Sequence, residues 1–328
     1  MRTGRFARAA LWLMAVVLAA AGCARAPAEL RPAASVPQTL IPVALAPGER
    51  LRVLATTSIV ADVVAAVGGS RIDLAGLVPP GVDPHAFEPT PQDVRRVAEA
   101  QVVFENGLGL EAFLGDLVQS AGSGAPVVSV SAGIEPLPAG DHQIDELAPL
   151  HAEWDPHVWL DPQNVILWTH AIEAALSALD PPGAPAYSRA AQAYRVDLES
   201  LDAEVEARLS AIPEGQRRLV TDHEEFGYFA RRYGFEIVGA VIPAPSAAAE
   251  PSARELAALE AAIRTTGVRA LFVSSVVSPA LARQVAEDTG IQLVTLYAHS
   301  LSDAAGPAPS YLELMRLNAR LIAEALAG

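Results

Sequence analysis

Two Asp-Pro pairs bracket a histidine in Asp155-Pro156-His157-Val158-Trp159-Leu160-Asp161-Pro162, in a chain of 328 residues that has only seven histidines. Proline fixes its own φ and disfavours helix in the residue before it, so Asp155 and Asp161 should both be non-helical. The pattern predicts His157 on a rigid loop, with a helix starting just after Pro162. An imidazole presented rigidly beside carboxylates suits metal binding: one ring nitrogen binds and an outer acceptor holds the other. One histidine establishes nothing, because lone histidines are more often structural hydrogen-bonders.

Three others are presented in the same way. His85 lies in the proline-rich loop after an expected strand at 72–77, His223 directly follows a strand at 218–221, and His299 directly follows a strand at 292–297. In open parallel α/β sheets, ligands bind outside the carboxyl ends of strands. Two of the four belong to each half of the chain, so two facing lobes would bring them into one cleft. A closed four-nitrogen site holds a metal and leaves little room for substrate chemistry. The plain alternatives stay open. His85 and His157 could cap nearby backbone, an acid beside His223 in Asp222-His223-Glu224-Glu225 could act in its place, and Asp303 could replace His299 as fourth donor. His170 reads as mid-helix packing or surface. His142 and His151, among the acids of the 137–154 stretch, read as a solvated acidic loop.

The elements that must position these residues form a regular series. Residues 1–23 read as an export signal: Arg2, Arg5 and Arg8 precede the apolar run Ala9–Ala21, too short for a membrane span. It ends in Ala21-Gly22-Cys23, which resembles a lipoprotein lipobox with Cys23 as the lipidated residue. The net charge of −15 becomes 20 − 38 = −18 once those three arginines are removed. That argues against nucleic acid and against a polybasic membrane contact. Residues 24–50, rich in Ala and Pro, read as a flexible tether. The remaining length, about 280 residues, suffices for two lobes with cores of their own. Strands alternate with helical patterns from Leu51 onward, predicting βαβ units with parallel pairing. Thr90-Pro91-Gln92-Asp93 carries the signature of a helix start. One stretch differs: Tyr194, Leu198, Leu201, Val205, Leu209 and Ile212 recur at helical spacing, and a helix over 186–212 would be about 40 Å long.

Four motifs in order resemble one family, the zinc/manganese-binding substrate-binding lipoproteins of bacterial metal-uptake ABC transporters. They are Asp83-Pro84-His85-Ala86-Phe87-Glu88-Pro89-Thr90, the segment Asp155–Pro162, Thr221-Asp222-His223-Glu224-Glu225-Phe226-Gly227-Tyr228-Phe229, and Tyr297-Ala298-His299-Ser300-Leu301-Ser302. The similarity covers residues 51–328. It implies an α/β fold of two βα lobes, at 51–185 and 213–328, each with a mainly parallel four-stranded sheet. One long rigid helix at 186–212 would join them, with the metal between. It also implies a non-enzymatic protein, anchored outside the cytoplasm through a lipid on Cys23, that hands its ion to an ABC permease in the membrane. The chain is expected to be a monomer. At position 299 the family usually has aspartate, and here stands histidine.

Imidazole suits Zn²⁺, whereas carboxylate-rich sites suit Mn²⁺. With His223 and His299 both supplying nitrogen, Zn²⁺ is the expected cargo and Mn²⁺ the alternative. A secreted zinc hydrolase would need an open coordination position and a base such as Glu224 or Glu225. The chain has no His-Glu-x-x-His pair for it, and its candidate ligands are scattered over both halves. A surface adhesin using metal only structurally is the remaining alternative.

Overall fold

The computed structural model describes residues 40–139, 154–242 and 250–327. The export signal with Cys23, the tether up to residue 39, and His142 and His151 lie outside these residues.

Strands β1 (Leu51–Ala55), β2 (Ile72–Gly76), β3 (Val102–Glu105) and β4 (Val127–Ser129) form one sheet in the order β2-β1-β3-β4. Strands β5 (Arg218–His223), β6 (Glu236–Ile242), β7 (Ala270–Ser274) and β8 (Gln292–Leu296) form a second in the order β6-β5-β7-β8. All pairings are parallel. The inner strands β1, β3, β5 and β7 are buried almost throughout, as expected of parallel strands covered on both faces.

Each sheet has its own outer layer of helices. Helices α2 (Pro91–Glu99) and α3 (Leu114–Ala121) cover the first sheet through Val97, Leu114 and Leu117. The second is covered by α7 (Ala253–Thr266) and α8 (Ala280–Thr289) through Leu259, Ile263 and Val285. The inner faces share one continuous core. It runs from α1 (Ser58–Gly68) and α4 (Pro162–Leu179) through α5 (Ala184–Leu209) to α6 (Gly227–Tyr233) and α9 (Tyr311–Leu326). Helix α5 has 26 residues, about 39 Å. Its apolar stripe Tyr194, Leu198, Leu201, Val205 and Leu209 is buried, and Ile212 is buried in the turn beyond. The helix starts two residues earlier than its periodicity suggests, because Pro185 is tolerated in a first turn.

Two sequence readings need adjustment. The end of the expected tether lies against the body: Leu40, Val43 and Leu45 are partly buried on the core, and Val43 N–H donates to the Leu179 carbonyl at 2.8 Å. Helix α3 was not legible, since its eight residues include Gly115, end at Gly122 and bury only Leu114 and Leu117. Among the described residues, no helix is long and apolar enough to cross a membrane.

Candidate metal centre

The loops that carry the histidines are fixed by short-range capping. Asp83 accepts the His85 backbone N–H at 2.9 Å and so starts a single 3₁₀ turn, Pro84–Ala86. Asp155 repeats the device, accepting the His157 backbone N–H at 2.9 Å ahead of the 3₁₀ turn Val158–Leu160. Asp161 then caps α4 by accepting from Gln163 N–H, with Pro162 in the first turn. Both Asp-Pro pairs thus do what their chemistry predicts. In the second lobe β5 runs two residues further than expected, so His223 is its last residue. His299 follows the end of β8 by three residues.

The four imidazoles converge. Their ligand atoms all lie within 4.8 Å of one another. Nε2 of His157 is 3.1 Å from Nε2 of His85 and 3.2 Å from that of His299, which is 3.0 Å from that of His223. The His223 and His299 rings stack at 4.7 Å with 22° between planes. His157, His223 and His299 are fully enclosed, while His85 is partly exposed.

Outer partners fix which nitrogen faces the centre. His157 Nδ1–H donates to Asp155 Oδ1 at 2.8 Å, and His223 Nδ1–H donates to Asp222 Oδ1 at 2.9 Å. His299 Nδ1 lies 2.9 Å from Ser274 Oγ. An acid that accepts from Nδ1–H leaves the Nε2 lone pair of its histidine directed inward. Asp222 Oδ2 also accepts the Ser274 N–H at 2.8 Å, tying β5 to β7.

Burial sets the protonation states. It holds His85 down to about 3, and His157 and His299 well below the ordinary imidazole value, with neighbouring imidazoles adding to the effect. These histidines stay neutral, as ligands must. Burial also pushes Asp155 up to about 7, and Glu225 well above the ordinary carboxylate range, where Asp222, Asp155 and Asp83 add their charge.

The lobes meet through these same loops. Trp159 Nε1–H donates to the Ala298 carbonyl at 2.7 Å, and Tyr311 O–H donates to the Trp159 carbonyl at 2.7 Å. Tyr228 O–H, on α6, donates to the Asp155 carbonyl at 3.0 Å. Displacing one histidine loop therefore disturbs another.

Asp303 takes no part in the cluster. It is exposed, and its carbonyl closes a local turn by accepting the Gly306 N–H. His170 is exposed on α4, as expected. Sequence reading missed Ser274, for no local pattern connects the end of β7 to His299. It noted Glu225 only as an alternative acid, yet this residue is 1% exposed with its Oε2 at 3.2 Å from His299 Nε2.

Comparison with known proteins identifies the family. Residues 53–325 match the family described as zinc-uptake complex component A, periplasmic. The iron-binding protein YfeA of Yersinia pestis is 32% identical over 278 residues, covering 84% of this chain and 86% of that protein. The manganese-binding lipoprotein MntA of Halalkalibacterium halodurans is 32% identical over 272 residues, covering 83% and 87%. Among solved structures, the periplasmic zinc-binding protein TroA of Treponema pallidum superposes with a TM-score of 0.75 at 30% identity, covering 85% of this chain and all of that one. The Mn-bound periplasmic metal-binding protein of candidatus Liberibacter asiaticus gives 0.76 at 26%, covering 84% and 100%. The chain belongs to the zinc-uptake component A family: it is a metal-binding substrate-binding component of an ABC transporter, and not an enzyme.

Proposed function

We propose that His85, His157, His223 and His299 together bind one divalent transition-metal ion, that Zn²⁺ is the preferred cargo, and that the protein delivers it to an ABC permease. The observation that carries this is the inward convergence of four Nε2 atoms, three of whose rings are held through Nδ1 by Asp155, Asp222 and Ser274. Bonds of about 2.1 Å give nitrogen-to-nitrogen edges of about 3.0–3.4 Å in four- or five-coordinate geometry. The separations of 3.0–3.2 Å fit that range. Imidazole donors favour zinc over manganese, and zinc also stands above manganese and iron in intrinsic affinity. His299 is the fourth donor in this reading, since Asp303 faces solvent.

The partly exposed His85 sits where an ion enters and leaves, and the buried trio receives it. The protein acts as a monomer outside the cytoplasm, held to the membrane by a lipid on Cys23. Mn²⁺ or Fe²⁺ is the second cargo reading, favoured by the names of YfeA and MntA. The test uses metal-free protein lacking residues 1–23, titrated with Zn²⁺, Mn²⁺ and Fe²⁺ against a chelator. One zinc per chain, bound more tightly than the others and lost in His157→Ala, is the expected result. A tighter hold on manganese overturns the zinc assignment, and the absence of any stoichiometric ion overturns the whole reading.

A further inference from the structure

We propose that Glu225 is a fifth metal donor, which turns a four-nitrogen site into a four-nitrogen, one-oxygen site and broadens its cargo toward Mn²⁺ and Fe²⁺. This rests on the metal-binding reading above and adds to it a residue that sets selectivity. Glu225 follows His223 by two residues, in the bend between β5 and α6, and is as buried as His157, His223 and His299. Its Oε2 is 3.2 Å from His299 Nε2, a separation of the same size as those between the imidazoles, and 3.9 Å from His223 Nε2. That oxygen makes no hydrogen bond, while the carboxyl group as a whole is paired with Asp222. A buried carboxylate oxygen without a partner costs on the order of several kcal/mol, so it is kept where a cation satisfies it. Glu225 groups within 4.8 Å with Asp222 and His223 and not with all four histidines, so it would approach the ion from the His223–His299 side.

Charge points the same way. Four neutral imidazoles offer a dication no compensating charge, and Asp155 and Asp222 act only through the far ring nitrogens. Glu225 would place one negative charge against the ion itself. A carboxylate is also a harder donor than imidazole, and a fifth ligand suits Mn²⁺ and Fe²⁺ better than a closed tetrahedron does. Zinc retains the higher intrinsic affinity, so the effect of Glu225 is breadth and not reversal.

The experiment compares wild type, Glu225→Gln and Glu225→Ala, all lacking residues 1–23, by chelator competition for Zn²⁺ and Mn²⁺ and by the visible absorption of the Co²⁺-loaded proteins. Co²⁺ d–d bands strengthen when coordination falls from five to four. Wild type should show weak five-coordinate bands, and both variants stronger four-coordinate ones. Mn²⁺ affinity should fall at least ten-fold in the variants and Zn²⁺ affinity by less, raising the Zn²⁺:Mn²⁺ ratio. A wild-type Co²⁺ spectrum already of four-coordinate strength overturns the inference even if neither variant folds. So does an unchanged ratio in variants that still hold metal. Failure of wild type to hold any ion overturns the metal-binding reading itself, and this inference with it.

Discussion

The two lobes have the same strand order, and each ties the ends of its first and third strands with one buried acid. They place that acid differently. In the first lobe Glu111 accepts from Thr56 O–H at 2.6 Å, Asn106 N–H at 2.7 Å and Gly107 N–H at 3.1 Å, knitting the residues just beyond β1 and β3. It reaches the four-histidine cluster only indirectly, through Asn106, whose Nδ2 donates to the Pro156 carbonyl at 3.0 Å. In the second lobe Asp222 does the knitting from β5 itself and holds His223 with its other oxygen. Scaffold and site are one structure there. In the first lobe they are separate, with His85 and His157 on capped turns. The second lobe thus offers a preformed half-site and the first lobe a half-site that depends on loops.

The largest expected effect breaks this comparison most directly. His223→Ala removes a donor from the preformed half and should lower zinc affinity by more than the roughly 100-fold upper range seen for outer partners. His85→Ala removes a partly exposed donor from a turn and should cost less. Competition titrations of the two variants give the answer. Equal losses would mean that the lobes contribute alike and that the structural asymmetry has no energetic counterpart.

Next comes the scaffold acid of the first lobe. Burial pushes Glu111 up to about 7, against the hydrogen bonds that favour its ionised form. A carboxyl whose folded pKa is raised binds its proton more tightly folded than unfolded, so its contribution to stability is fully present below about 4.5 and is lost as pH rises through about 7. Relative to Glu111→Gln, metal-free wild type should gain about 3 kcal/mol between pH 8 and pH 4.5. Urea unfolding of both proteins across that range measures it. Parallel stability curves would show that the acid is no more strained folded than unfolded, and that Glu111 is not the costly counterpart of Asp222 argued here.

Asp155→Asn and Asp222→Asn sharpen the distinction between the lobes. Each removes the carboxylate that orients one histidine, and each should reduce zinc affinity by about 10–100-fold. Only Asp222→Asn should also lower stability, by about 1–3 kcal/mol, because an amide has one acceptor oxygen for two jobs. Either the His223 ring or the Ser274 N–H then meets an NH₂ group. Thermal unfolding of the metal-free variants separates the two, and matching losses of stability would mean that Asp155 also knits its lobe.

Much of this was legible in the sequence, for local reasons. Proline and aspartate act within two or three residues, so Asp83-Pro84, Asp155-Pro156 and Asp161-Pro162 announced the turns that present His85 and His157 and the start of α4. The βα rhythm and the stripe from Tyr194 to Leu209 likewise gave the lobes and the joining helix. What was hidden depends on distance along the chain. Ser274 reaches His299 from 25 residues away, and Glu111 reaches Thr56 from 55. Glu225 looked like one more acid beside a helix, because nothing local says that its bend turns inward. The docking of Leu40 and Val43 was masked by a composition that reads as linker.

The smallest expected effect decides the fourth donor. Ser274→Ala removes the hydroxyl beside His299 Nδ1 and leaves the Ser274 N–H bond to Asp222 intact. Losing one neutral hydrogen bond of about 0.5–1.5 kcal/mol should weaken zinc binding by up to about ten-fold and lower stability by no more than a similar amount. Asp303→Ala, on the exposed loop, should change neither. Isothermal titration of both variants distinguishes the donors, since a hydroxyl that orients His299 matters only if His299 binds the ion. A loss confined to Asp303→Ala would move the fourth donor onto that loop. The site would then have a hard ligand in its place, and the second lobe would no longer be the preformed half.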